Sequence, residues 1–314
     1  MINKNSKIYI SGHNGMVGSA CYNVFYKNGY KNILTKSSSE LDLRNQKKVD
    51  VFLKNEKPEL IICASAKVGG IHANNKFPFE FLNDNILIQS NLINSAYNNN
   101  VNKFIFLGSS CIYPKNADQP IKEEYLLSGQ LEKTNQWYAI AKITGLKMIE
   151  SLRLEYNKEY VSLMPTNLYG DNDNYDLKTS HVLPALIRKI HEAKINKLDS
   201  VELWGNGEPL REFMHVTDLA EAIFFIANYR KKLDYPFYNV GSGEEITIKN
   251  LATLISKIIG FNGYFNFNLE YPNGTMRKKI DSSRINNLGW KSNIKLEDGI
   301  INTYKNFIKN YDKR

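Results

Sequence analysis

Short apolar runs alternate with longer segments of helical period through the first half of the chain, an alternation that predicts a parallel sheet wound by helices. Lys7-Ile8-Tyr9-Ile10 reads as the first strand, followed at once by a glycine-rich turn and a helix to about Asn28. Ile33-Leu34-Thr35 is the second strand, a helix occupies about Gln46 to Asn55, and Leu60-Ile61-Ile62-Cys63 is the third strand. Ala64 to Ile71 reads as a loop over the crevice at the strand ends. From about Pro78 to Tyr97 a long helix spreads its apolar residues, among them Phe81, Leu82, Ile86 and Leu92, beyond a single stripe. That spread predicts burial on two sides, against the sheet and against a second subunit. Phe104-Ile105-Phe106-Leu107 is the fourth strand, Asn135 to Tyr156 a helix, and Tyr160 to Met164 the fifth strand.

After Gly170 the regular alternation stops. A helix is expected around His181 to Glu192, and the chain is expected to return to the sheet around Phe213-Met214-His215-Val216 and again at Phe237 to Gly241. Thr217 to Tyr229 and Ile248 to Ile259 are helical, the latter capped by Thr247; a strand near Tyr264 to Leu269 and a helix from Leu296 complete the chain. The fold class is therefore α/β, a doubly wound parallel sheet of Rossmann type with a smaller C-terminal α/β substrate lobe. Residues 1–170 plus 213–241 are expected to bind the dinucleotide, and residues 171–212 plus 242–314 the substrate.

Composition narrows the setting. At 314 residues the chain buries a sizeable core. It has no uninterrupted apolar run of about 20 residues to cross a membrane, and Met1-Ile2-Asn3-Lys4-Asn5 lacks a signal-peptide core, so a cytoplasmic location is expected. Cys21, Cys63 and Cys111 are too few and too irregularly spaced for a disulfide framework or a zinc site. The formal charge of +9 is spread along the chain without basic runs interleaved with aromatics. An anionic small molecule therefore fits better than nucleic acid.

The chemistry lies at three places. Gly12-His13-Asn14-Gly15-Met16-Val17-Gly18, between a strand and a helix, suits a dinucleotide pyrophosphate at a helix N-terminus. After the second strand, Lys36-Ser37-Ser38-Ser39 stands where an acidic residue would hold the ribose 2′-hydroxyl of NAD, which favours NADP(H); Asp42 is close enough to reach back. Tyr138 and Lys142 are four apart on one helix face, where the ammonium is expected to lower the phenol pKa. Ser109 follows the fourth strand, in the usual ligand crevice.

With these residues in place the chain resembles, end to end, the extended short-chain dehydrogenase/reductases and, within them, the GDP-L-fucose synthases. The specific stretches include the glycine motif through Ala20, Leu107 to Lys115, Tyr138 to Gly145, Met164 to Gly170, Ser180 to Leu186, Trp204-Gly205-Asn206-Gly207 and Arg211 to Val216. The resemblance implies NADPH-dependent 3,5-epimerisation and C4 reduction of a GDP-4-keto-6-deoxyhexose. It implies Cys111 and His181 as the acid/base pair, Tyr138 as proton donor, Ser109 as a hydrogen-bonding partner of the C4 oxygen, and Lys142 as the group tuning Tyr138. The cofactor would lie on Gly12 to Gly18, Lys36, Leu107, Gly108, Ser109, Ser110, Tyr138, Lys142, Pro165, Thr166, Asn167, Leu168 and His181. The GDP-sugar would meet Lys189 or its neighbour Arg188, Trp204, Arg211 and Asn273, although the family tends to have Asp at that last position. No metal is implied, and a homodimer through Pro78 to Tyr97 and Asn135 to Tyr156 is. The competing readings are a C4-reductase of a related GDP-sugar such as a heptose, and a non-catalytic NADPH-binding protein.

Overall fold

The computed structural model describes residues 2–271 and 273–311, the side chains of positions 71 and 72 apart. Its first half runs β1 (Ile8–Ser11), α1 (Met16–Lys27), β2 (Ile33–Leu34), α2 (Gln46–Glu56), β3 (Leu60–Cys63), α3 (Ile71–Lys76), α4 (Pro78–Asn98), β4 (Lys103–Leu107), α5 (Gln136–Tyr156) and β5 (Glu159–Pro165). It continues through β6 (Asn167–Tyr169), α6 (Val182–Ile195), β7 (Ser200–Trp204), β8 (Leu210–His215), α7 (Val216–Asn228), β9 (Phe237–Val240), β10 (Glu245–Thr247) and α8 (Ile248–Ile259). β11 (Tyr264–Asn268), β12 (Arg277–Lys278), α9 (Ser283–Leu288) and α10 (Leu296–Tyr311) follow.

Six strands form one parallel sheet in the order β2-β1-β3-β4-β5-β9. Successive side chains alternate between its faces. Ile8, Ile10, Leu60, Ile62, Ile105 and Val161 pack under α1 and α7, whereas Tyr9, Ile61, Phe104 and Tyr160 pack under α2 and α4. Both faces are covered, which is why the strands read as continuous apolar runs. From β1 the chain goes first to β2 on one side and then to β3 on the other, so the ligand crevice of such a sheet opens beyond the C-terminal ends of β1 and β3.

β8 departs from expectation. It does not join the large sheet but pairs with β6, β10 and β12 in a second one. The cause lies just past β5, where Asn167–Tyr169 continues as a short strand and captures Phe213–His215 in parallel register. The helix after β8 does pack on the large sheet, and β9 enters it beside β5. A separate apolar cluster holds the remaining elements together, with Leu186, Ile190, Leu251, Ile255, Ile300 and Phe307 among its members. Within α8 the Thr247 hydroxyl accepts the Asn250 N–H at 3.1 Å, the cap expected from sequence. Ala64 to Gly70 is a loop as expected, but Ile71, expected in the loop, opens α3, a short helix the periodicity did not separate from α4.

Helices α4 and α5 lie against each other. Gly145 permits this, since a Cβ there would stand 2.5 Å from Phe106 Cζ and 2.9 Å from Gln89 Cδ. The Gln89 amide donates to the Ala141 carbonyl. Their outer side leaves Phe79, Trp137, Ile140 and Leu154 exposed. Among the described residues, no helix is long and apolar enough to cross a membrane.

Candidate active site

The glycine turn is built for close approach. Gly12 has φ +73° and its would-be Cβ lies 2.9 Å from the Ala64 carbonyl, so a side chain is excluded by both conformation and space. At Gly18 a Cβ would stand 2.2 Å from Gly12 O, which lets α1 begin directly beneath the turn. Among the described residues no side chain caps the first turn of α1, which leaves its N–H groups open to an anion. Gly15 N donates to Gly12 O at 3.0 Å and closes the turn. Asn14 is exposed, while His13, Met16 and Val17 are partly buried around it.

Beyond β2 the structure adds a residue that sequence reasoning passed over. Glu40 accepts hydrogen bonds from Ser37 N at 2.8 Å and Ser37 Oγ at 2.7 Å, and pairs with Lys36 at 3.2 Å. These bonds hold its carboxyl down to about 2. Lys36 and Ser37 thus form a small anion cradle occupied by the chain's own carboxylate. Asp42 does not reach back; Arg44 holds it through Nε at 3.0 Å and Nη2 at 2.9 Å.

Past β4, Gly108 passes so close to Met164 that a Cβ would stand 2.1 Å from its sulfur. Ser109 Oγ then accepts the Cys111 N–H at 3.3 Å, capping a single 3₁₀ turn that buries Ser110, Cys111 and Ile112. Tyr113 fastens this turn from behind: its hydroxyl donates to Asn239 Oδ1 at 2.5 Å, and Asn239 N in turn donates to buried Glu123 at 2.9 Å.

Tyr138 and Lys142 share the α5 face that meets this turn. Lys142 Nζ donates to Leu107 O at 2.7 Å and lies 5.6 Å from the Tyr138 ring centroid. The expected acidification of Tyr138 is not realised. Burial pushes the phenol up, and the nearby Cys111 sulfur adds to the rise. The ammonium is directed to a main-chain carbonyl rather than to the phenol oxygen, and burial pushes Lys142 itself down. Cys111 is likewise pushed up by burial, against which Lys278, a hydrogen bond with Ser109 and Lys142 act in that order.

The loop after β5 is pinned to β8. Thr166 Oγ1 and Asn167 Nδ2 both donate to Glu212 O, at 3.1 and 2.9 Å, and Thr166 N donates to Val240 O at 3.1 Å. Pro165 ends β5 and Leu168 continues into β6. His181 is the N-terminal flank of α6 and reaches solvent. Desolvation first, and the Lys278 charge second, hold its imidazole below its ordinary value. Gly70 N donates to Thr179 O at 2.9 Å, bringing the loop after β3 against the segment before His181.

On α6 the two neighbouring cations have different partners. Arg188 is engaged by Glu192 at 2.7 Å and by Tyr175 O at 3.0 Å. Lys189 Nζ instead stands 5.1 Å over the Trp204 ring and donates to Glu202 O at 3.2 Å. Trp204 is exposed and stacks on Tyr271 with centroids 4.3 Å apart at 8°. Asn273 Oδ1 accepts the Asn206 N–H at 2.9 Å, so this side chain staples the turn after β7. Arg211 is in register with Lys278 across β8 and β12. Lys278 and Tyr271 carried no motif; strand pairing places the first beside Arg211 and ring stacking places the second on Trp204.

Residues 8–241 match the model of the NAD dependent epimerase/dehydratase family. A putative GDP-L-fucose synthase 2 of Arabidopsis thaliana is 50% identical over 310 residues, covering 99% of this chain and 94% of that protein. The GDP-L-fucose synthase of Escherichia coli (strain K12) is 44% identical over 316 residues, 98% of each chain. Among solved structures, a GDP-mannoheptose C4 reductase from Campylobacter jejuni with NADP bound superposes with a TM-score of 0.88 at 39% identity, covering 98% of this chain and 100% of that one.

Proposed function

We propose that this chain, which belongs to the NAD dependent epimerase/dehydratase family and, within it, to the GDP-L-fucose synthases of the extended short-chain dehydrogenase/reductases, converts GDP-4-keto-6-deoxy-D-mannose to GDP-L-fucose by NADPH-dependent 3,5-epimerisation and C4 reduction. The observation that carries this reading is the convergence of two chemistries on one cleft. Ser109 and Cys111 lie on one turn, and that turn packs against the helix face bearing Tyr138 and Lys142.

The C4 ketone of the substrate acidifies the flanking C3 and C5 protons. Cys111 takes one of them as thiolate: the C–H bond breaks, an S–H bond forms, and the electron pair moves to the C4 oxygen as enolate. His181 supplies a proton to the opposite face, inverting the centre. Ser109 holds the C4 oxygen by hydrogen bond. Bound NADPH would supply the hydride that reduces C4. Tyr138 then donates its proton to the resulting alkoxide; a phenol kept protonated by burial is the form that step needs. Lys142 anchors the loop end at Leu107 O. The tight turn at Gly12 and Gly18, where a Cβ would strike the Ala64 or Gly12 main chain, brings the start of α1 close enough to fit a pyrophosphate, and Lys36 and Ser37 fit a 2′-phosphate in place of Glu40. Lys189, Trp204 and Arg211 suit the GDP portion, whose phosphates call for cations. Residues 1–170 with 213–241 would serve as the dinucleotide unit and the remainder as the substrate unit.

The test is turnover in D2O with GDP-4-keto-6-deoxy-D-mannose and NADPH, followed at 340 nm and by NMR of the product. Deuterium at C3 and C5 with NADPH consumption supports the reading, and Cys111→Ser is expected to abolish the deuterium. Consumption without deuterium supports a plain C4-reductase of a related GDP-sugar, a reading favoured by the heptose reductase among the structural relatives. NADPH binding without any turnover would sink both. The exposed apolar residues on α4 and α5 suit a homodimer in the cytoplasm; a monomer by light scattering would refute the dimer.

A further inference from the structure

Arg277, Lys278 and Lys279 are three cations in succession, and strand alternation separates them. Arg277 grips Glu245 with two bonds, at 2.8 and 2.6 Å, and Lys279 approaches the same carboxylate at 4.0 Å. Lys278 lies between them and lines one cleft with Cys111, Glu132, Thr275 and Arg277, whose own guanidinium is taken up by Glu245. Among the described residues no carboxylate forms an ion pair with its ammonium; Glu132 in that cleft is paired with Lys115 at 3.0 Å.

The main chain fixes Lys278 from both sides. It stands in register with Arg211 on β8. On the other side Ile121 N donates to Lys279 O at 2.8 Å, Asp281 N donates to Ile121 O at 2.8 Å, and Lys279 N donates to Gln119 Oε1 at 2.8 Å. The strand is thereby stitched to the segment that follows Cys111. Lys278 is partly buried and its ammonium is desolvated, and a desolvated ammonium is stabilised by a negative partner.

We propose that Lys278 is the counter-cation of Cys111, a positioning residue that stabilises the thiolate which takes the proton from the sugar. The proposal rests on the reading of Cys111 as the base. The charges around the pair agree with it. Lys278 stands first among the groups opposing the effect of burial on Cys111, ahead of Ser109 and Lys142. The groups acting on Lys278 are burial first, then Cys111, Arg211 and Glu132. On the α6 side it acts on His181, and Tyr138 of α5 faces the same sulfur. Pairing with a thiolate satisfies Lys278, whereas Arg211 beside it repels it and offers no partner.

The experiment is the pH dependence of Cys111 alkylation by iodoacetamide in the full-length protein, read by peptide mass spectrometry, in the wild type, Lys278→Met and Lys278→Arg. Lys278→Met is expected to move the alkylation midpoint up by about one pH unit or more, and Lys278→Arg to restore most of it. With GDP-4-keto-6-deoxy-D-mannose, Lys278→Met should lose solvent deuterium incorporation at C3 and C5 at least tenfold at pH 7, with the loss reduced at higher pH. An unmoved midpoint together with a raised KM would overturn the proposal and make Lys278 a substrate anchor. Retained NADPH binding certifies that the variant has folded. Because alkylation needs no substrate, failure of the wild type to turn over this sugar would count against the proposed function while leaving the test of Lys278 intact.

Discussion

Asp173 provides a pH-dependent test of the fold beside the cleft. It is buried, its Oδ1 accepts the Asn174 N–H at 2.7 Å, and its Oδ2 lacks a partner among the described residues. Burial pushes its carboxyl up to about 7, against roughly 3.9 in an unfolded chain. Between these two values the native state holds a proton that the unfolded state has released, so stability falls as pH rises through that window. The slope approaches about 1.4 kcal/mol per pH unit, and the loss between pH 5 and pH 8 is about 2.6 kcal/mol. For a domain of this length that corresponds to a melting temperature lower by roughly 4 °C. Asp173→Asn keeps the acceptor for Asn174 and mimics the protonated acid at nearly the same volume. Its melting temperature, followed by circular dichroism from pH 5 to pH 8, is expected to fall by less than the wild type's, with the largest advantage at pH 8. Equal pH slopes for the two proteins would refute the reasoning, because a carboxylate ionised throughout that range in both states contributes no such slope.

Three further outcomes follow from contacts described above. Gly18→Ala forces a methyl group onto the Gly12 main chain, an overpacking of about 1–3 kcal/mol; NADPH affinity measured by fluorescence should fall about tenfold or more with helix content unchanged. Glu40→Gln releases Lys36 and Ser37 from their internal anion, so NADPH should bind roughly two- to fivefold more tightly, with no comparable gain for NADH. Thr247→Ala removes the acceptor of Asn250 N and should cost about 1 kcal/mol in urea denaturation, leaving the NADPH KM unaltered.

Much of this molecule was legible from residue order alone, where the determining interactions are local. The central strands read as apolar runs because both of their faces are covered. Thr247 declared itself as a helix cap, and Gly12 to Gly18 declared a turn whose main chain must come close to something. Tyr138 and Lys142 could be placed on one face because helical spacing is invariant. What happens between those side chains was not legible: the phenol rises instead of falling, since burial and the direction of the Lys142 ammonium toward Leu107 O are properties of packing. The same holds for β8, whose apolar pattern fits either sheet and whose partner was chosen by the strand that follows Pro165. Asn273 on the turn after β7 and Lys278 beside Cys111 are likewise pairings across long stretches of chain, whereas Glu40 meets Lys36 only four residues away, within the local turn after β2. Sequence determined which residues could carry the chemistry. Tertiary structure decided which charges face one another, because pairing register and desolvation arise only when segments far apart in sequence share one interior.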